Sequence, residues 1–187
     1  MSSLFPLDDE AYMRLAIAEA RAAEAAGEVP VGAVIVSATG DVLGRGRNLV
    51  ITHSDPTAHC EVVALREAGR TLGNYRLLGC TLYCTLEPCA MCAGAMVHAR
   101  LGRLVFATRD PKAGACGSAL DLLQHSALNH HVKVTEGLLA AECGTMLSEF
   151  FRRKRNLRTT ASASHSVTEA NSDGCGKPIE AIAEKDQ

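Results

Sequence analysis

The chain has 187 residues, of which 47% are hydrophobic, 21% charged and 4% aromatic, with no Trp and a formal net charge of −2. That length implies one domain with room for a small appendage, and the composition supports a core of mostly Ala, Val and Leu, which excludes a wholly disordered chain. No uncharged apolar run approaches the ~20 residues of a membrane span, and Asp8, Asp9 and Glu10 stand where a signal peptide would be basic and then apolar, so a cytoplasmic protein that meets no membrane is expected.

Acidic residues open a segment from 8 to 26 in which Met13, Ile17 and Ala20 recur at helical spacing and Gly27 follows as a stop, which predicts a helix. Val31 to Ser37 is a short β-branched run, and the turn cluster Thr39-Gly40-Asp41 leads to a second extended run ending at Asn48, which together predict a hairpin. Asp55-Pro56-Thr57 resembles a helix start, with the helix running to about Arg70 and carrying His59 and Glu61 in its opening turn. Thr81 to Leu86 reads as a strand that Pro88 closes, and Cys89 to Ala99 as a helix rich in Ala and Met. Leu104 to Ala107 and Val132 to Thr135 are two further short strands, and Leu138 to about Arg158 a final helix. Strands alternating with helices imply a layered α/β domain over residues 1–158. From Thr159 the chain is Ser, Thr, Ala and charge, with Lys177 and Lys185 against Glu169, Asp173, Glu180, Glu184 and Asp186; residues 159–187 are expected to be a disordered acidic tail. The remainder is near neutral, so bulk charge does not announce a nucleic acid.

Eight cysteines in a cytoplasmic chain point to buried thiols, metal ligands or catalytic groups rather than disulfides. Cys89-Ala90-Met91-Cys92 is a C-x-x-C, weak by itself, as is His59-x-Glu61. Pro88 directly before Cys89, and the placement of one pair behind each of two strands, make the conjunction informative. His59 and Cys89 would each lie near a helix N-terminus, where unpaired amides favour thiolate and hydroxide. Two thiolates and one imidazole fill three corners of a zinc tetrahedron and leave the fourth to water, whose pKa zinc lowers toward ~7. Glu61 is then placed to take the water's proton and return it. A closed structural zinc site would need a further ligand. Cys80 and Cys84 lie ~13 Å apart on an extended strand and cannot both join. Cys60 reads as a packed thiol, while Cys116, Cys143 and Cys175 belong to no ligand pair. A redox reading of Cys89-x-x-Cys92 would leave His59 and Glu61 idle, and Gly44-Arg45-Gly46 lacks the rest of either nucleotide-binding glycine motif.

These residues resemble the zinc-dependent cytidine and deoxycytidylate deaminase superfamily, and within it the bacterial tRNA-specific adenosine deaminases, with the H-x-E…P-C-x-x-C signature. The likeness covers roughly residues 8–158 and is close through Glu28 to Ala33, Asp55 to His59, Asn74 to Leu77, Thr85 to Met96 and Asp110 to Ser118. It implies a three-layer α/β/α fold with a central five-stranded mixed sheet, a homodimer, one Zn2+ per subunit, and hydrolytic conversion of adenosine to inosine at wobble position 34 of a tRNA anticodon. It implies His59, Cys89 and Cys92 as zinc ligands, Glu61 as proton shuttle in attack at adenine C6, and Asn48 as a hydrogen-bond partner of the purine. Cys60 departs from the family's usual Ala at that position.

The same chemistry serves free bases and nucleosides, so a guanine or cytosine type of deaminase is the alternative. Phe150-Phe151-Arg152-Arg153-Lys154-Arg155 sets cations beside aromatics, as phosphate contacts and stacking require, although cations also end a helix favourably and the phenylalanines could be core. Asp110-Pro111-Lys112-Ala113-Gly114 resembles the family's contact with nucleotides flanking the target. With the resemblance counted, the anticodon stem-loop is the expected partner, because an unpaired adenosine costs little to splay into a pocket.

Overall fold

The computed structural model describes residues 7–168, with side chains over residues 9–157. Its elements in chain order are α1 (Leu7–Ala25), β1 (Gly32–Val36), β2 (Val42–Arg47), α2 (Val50–His53), α3 (Cys60–Leu72), β3 (Thr81–Leu86), α4 (Ala90–His98), β4 (Arg103–Thr108), β5 (Lys133–Glu136) and α5 (Ala140–Thr168). The strands form one mixed sheet in the order β2-β1-β3-β4-β5. β1 pairs antiparallel with both β2 and β3, while β3, β4 and β5 run parallel.

β1 reads Gly-Ala-Val-Ile-Val and every one of its residues is buried, as a strand covered on both faces must be. Alternation sorts its side chains. Ala33 and Ile35 join Leu82, Cys84, Leu104 and Phe106 in a core with Cys60, Ala64, Met96 and Val97 from α3 and α4. Val34 and Val36 join Tyr83, Val105 and Ala107 in a second core with Met13, Ala16 and Ile17 of α1, with Leu138 just before α5 and with Cys143 in its first turn. Helices therefore cover both faces of the sheet, and the expected three-layer architecture is the one found.

Small residues set how closely α3 approaches the sheet. Gly44 and Gly46 lie against it, and a Cβ at Gly46 would overlap the carbonyl of Cys60. The Gly-Arg-Gly run is thus a seat for the helix that carries the site.

Three local features differ from the sequence expectation. Asp55 spends its carboxylate on the amide and hydroxyl of Thr57, at 2.8 and 2.7 Å, so Asp55-Pro56-Thr57 is a turn and the helix starts later, at Cys60. The short α2 was not anticipated. Helix α5 continues past Arg158 to Thr168, through residues that include no Gly or Pro to stop it, so the first part of the expected disordered tail is helical; the rest, 169–187, lies outside the described residues. The described residues divide into two units, the first ending at Phe151 and the second beginning at Arg152. The first holds the whole sheet. No helix among the described residues is long and apolar enough to cross a membrane.

Candidate active site

The N-termini of α3 and α4 bring the metal-type donors together. His59 is the N-cap of α3 and Cys89 the N-cap of α4, both in extended backbone, with Cys92 in the first turn of α4. His59 Nδ1 lies 3.6 Å from Cys89 Sγ and 3.6 Å from Cys92 Sγ, and the two sulfurs are 3.7 Å apart. Those edges match a tetrahedral zinc with bonds of ~2.3 Å to sulfur and ~2.0 Å to nitrogen, so the donor set fits the ion. Among the described residues no further His, Cys, Asp or Glu joins this group. Among the described residues no fourth protein ligand closes the site: Cys80 Sγ points its hydrogen at the Leu78 carbonyl and Cys116 Sγ at that of Pro88.

The electrostatics of the three donors single out Cys89 as the thiolate of the group. The Cys92 thiol and His59 both hydrogen-bond to Cys89, holding its thiol down to about 3. The Cys89 thiolate in turn pushes His59 and Cys92 up, with burial adding to the effect on Cys92.

Glu61 follows His59 by two residues on the first turn of α3 and is 4% exposed. Burial pushes its carboxyl above the ordinary range, and the Cys60 thiol, donating to Oε2 at 3.1 Å, offsets this in part. A carboxyl with a raised pKa beside a metal-type donor set suits a group that must both take and give a proton near neutrality. Cys60 is fully buried, 3.8 Å from Cys84 Sγ, as the packed-thiol reading expects. Its contact with Glu61 was not foreseen.

Asn48 leads out of β2, and its Oδ1 accepts the Cys60 backbone N–H at 3.1 Å, capping α3 from outside the helix. That fixes the amide group and leaves its NH2 to donate. The segment after it is held by Glu28, 1% exposed, whose Oε1 accepts the Thr52 amide at 2.7 Å and the Thr52 hydroxyl at 2.8 Å.

A third buried acid was missed in the sequence. Glu87, 2% exposed, accepts the amides of Asp110 at 3.0 Å, Cys116 at 3.0 Å and Ser118 at 3.1 Å, together with the Ser118 hydroxyl. Burial pushes its carboxyl up, but the bonds from Ser118, Asp110 and Cys116 together outweigh that and hold it below the ordinary range. Asp110 in turn receives the amides of Lys112 and Ala113 at Oδ1, at 2.9 and 3.3 Å. The available signal was a carboxylate directly before Pro88-Cys89, in a stretch that otherwise reads as buried strand.

Among the other expected contact residues, Lys112 is exposed, Asp110 half-buried and Phe151 42% exposed, with Phe150 buried and stacked edge-on against it at 5.5 Å. Arg152 and Arg153 are exposed on α5 in the second unit.

A sheet covered on both faces, carrying a His/Cys/Cys donor triangle and a neighbouring buried Glu at two helix N-termini, is the architecture of a zinc-dependent hydrolase. Residues 6–108 match the family model of the cytidine and deoxycytidylate deaminase zinc-binding region, and the chain belongs to this family. It is 52% identical over 147 residues to a tRNA-specific adenosine deaminase of Haemophilus influenzae, covering 79% of this chain and 85% of the relative. It is 48% identical over 153 residues to the Bacillus subtilis protein of the same name, covering 82% and 94%. A solved structure from a study of A-to-I editing by tRNA:A34 deaminases superposes with a TM-score of 0.71 at 42% identity, covering 73% of this chain and 99% of that one. The guanine deaminase of Nitrosomonas europaea is more distant, with a TM-score of 0.64 at 27% identity over 75% and 83% of the chains.

Proposed function

We infer that the chain is a hydrolytic deaminase that converts adenosine to inosine at the wobble position of a tRNA anticodon. The observation that carries the chemistry is the His59/Cys89/Cys92 triangle with Glu61 buried beside it on the same helix turn. The substrate assignment is supported by two relatives named tRNA-specific adenosine deaminases, 52% and 48% identical over four-fifths of the chain.

His59, Cys89 and Cys92 hold one Zn2+, which when bound supplies a water activated for attack at neutral pH. Glu61 would take one proton from the attacking water and give it to the adenine ring as C6 becomes tetrahedral, then take the second from the new C6 hydroxyl and give it to the amino group as the C6–N bond breaks, so water enters and ammonia leaves. Asn48, with its oxygen committed to the Cys60 amide, donates through its NH2 to the purine. Asp110 and Lys112 meet the nucleotides flanking the target. Phe151 offers a face for stacking, and Arg152 and Arg153 offer cations to RNA phosphates.

The protein works as a homodimer. An open groove of about 680 Å³ along α3 and α4, lined by Val62, Leu65, Ala95 and Ala99 with the 69%-exposed Tyr75 at its side, is an apolar surface suited to a second copy. Residues 1–158 form the deaminase domain, with 159–187 as a non-catalytic appendage; the donors, Glu61 and the 110–118 loop all fall within the first unit. A cytoplasmic location is supported by the cysteines, which are free thiols throughout the described residues.

The test is incubation of the zinc-loaded protein with an adenosine-34 anticodon stem-loop and, separately, with free adenosine, guanine and cytosine, reading inosine or ammonia, with Glu61→Ala as control. Inosine from the stem-loop alone is the expected result. Turnover of a free base alone overturns the substrate and keeps the mechanism.

A further inference from the structure

We propose that Glu87 is a positioning residue for the deamination: its buried carboxylate locks the 110–118 loop onto the strand end that delivers Cys89, so that the metal ligand and the substrate-flanking loop are set by one group. This rests on the reading of that loop as a substrate contact, and it adds a residue that touches neither substrate nor metal.

The geometry carries it. Glu87 has used both carboxylate oxygens on the loop: Oε1 on the amides of Cys116 and Ser118, Oε2 on the Asp110 amide and the Ser118 hydroxyl. Local turn bonds tie Gly114 to Asp110 and Ala119 to Gly114, but the amides of Asp110, Cys116 and Ser118 all turn to Glu87, which joins the two ends of the loop. The next residues complete the lock. The Pro88 carbonyl accepts the Ala115 amide at 2.8 Å, and Cys89 forms a β-bridge with Gly114. Gly114 packs directly on the Glu87 side chain, where a Cβ would overlap the carboxylate. The order continues outward, because Asp110, held by Glu87 through its amide, uses its own carboxylate to fix Lys112 and Ala113. Two carboxylates in series thus define the shape of residues 110–118, and the inner one stands two positions from a metal donor.

A carboxylate is required rather than any polar group of that size. Four donors converge on two oxygens, and an amide would turn its own NH2 toward at least one of them, leaving a buried donor unmet.

The experiment compares Glu87→Gln and the milder Ser118→Ala with the unaltered zinc-loaded protein, measuring zinc content, amide hydrogen exchange, and kcat and KM on the stem-loop. Expected for Glu87→Gln are unchanged zinc, faster exchange confined to residues 110–118, and a KM about tenfold higher with kcat within about twofold, the loss of buried hydrogen-bond partners falling on substrate fit. Ser118→Ala should move the same quantities in the same direction by less. A merely structural role predicts the opposite split, with kcat per zinc-loaded protein falling, KM unchanged and exchange rising across the sheet; that result, or wild-type exchange in the loop, overturns the proposal. If the unaltered protein leaves the stem-loop untouched, the substrate reading fails, and exchange and zinc content still report whether Glu87 holds the loop.

Discussion

The two faces of the sheet treat a buried acid in opposite ways. On the α1 face Asp9 is saturated: Arg103 donates to its two oxygens at 2.9 and 2.7 Å and the Tyr83 hydroxyl adds a bond of 2.6 Å. Burial, with Asp9 as acceptor, pushes the Tyr83 hydroxyl up, so it remains a donor. On the α3 face Glu61 is as deeply buried but is matched more weakly, by the Cys60 thiol, a backbone amide and the nearby His59 ring, which together do not offset its burial. A charge that is fully matched holds the fold and does not move its proton. One that is under-matched is costly to ionise, so its carboxylate is the stronger base and readily takes up a proton that it can then pass on.

Removing the metal breaks the contrast most completely. Cys89→Ala, or chelation, should abolish deamination and release zinc, read by metal analysis and ammonia production; activity persisting without zinc would end the zinc mechanism. Glu61→Gln should lower kcat by about 100- to 10,000-fold, the range of a lost proton shuttle, with zinc content unchanged. The sign for stability is the reverse of the usual one. Because the folded pKa of Glu61 is raised, its ionised form costs stability as pH rises from the ordinary carboxylate range toward the folded value, so the metal-free Gln variant should melt no lower than the metal-free parent at neutral pH.

Asp9→Ala should do the opposite, leaving kcat of the folded protein intact and costing about 3 kcal/mol, or about 10 °C in Tm, by stranding Arg103. An unchanged Tm would show that the pairing on the α1 face is not what fixes that helix. Glu28 gives the smallest and most pH-selective effect. Burial pushes its carboxyl up, but the bonds from Thr52 and Ile51 together outweigh that and hold it below its ordinary value. Its contribution is therefore full above the ordinary carboxylate range and lost as pH falls through the folded value. Glu28→Gln should cost about 1 kcal/mol at pH 7, and the difference should shrink on acidification; a gap that stayed constant down to acid pH would contradict the assignment.

What was legible in the sequence is what depends on short spacing. His59-x-Glu61 and Pro88-Cys89-x-x-Cys92 sit within single helix turns, so residue type and interval singled out side chains that the fold brings together, and short apolar or extended runs marked the strands, while the five-stranded mixed sheet followed from the family resemblance. What was not legible depends on chain segments meeting from afar. Glu87 finds its partners 23 to 31 residues away, and Asn48 caps a helix that begins 12 residues later. No local pattern reports either. Asp55-Pro56-Thr57 misled for a related reason: Asp55 satisfies Thr57 in place of the helix, and the helix takes its cap from Asn48 instead.

The donor triangle also ties together parts of the chain that the backbone alone leaves far apart. His59 and Cys89 are separated by 30 residues, on helices that follow different strands. An ion bridging them closes that loop much as a covalent cross-link would, and a closure of that length removes disorder from the unfolded chain worth about 3 to 4 kcal/mol, provided the bridge holds only in the native state. Zinc is then a clasp as well as a reagent: starvation for the metal would expose the protein to proteolysis along with silencing it, and zinc supply would set how long each molecule lasts in the cell.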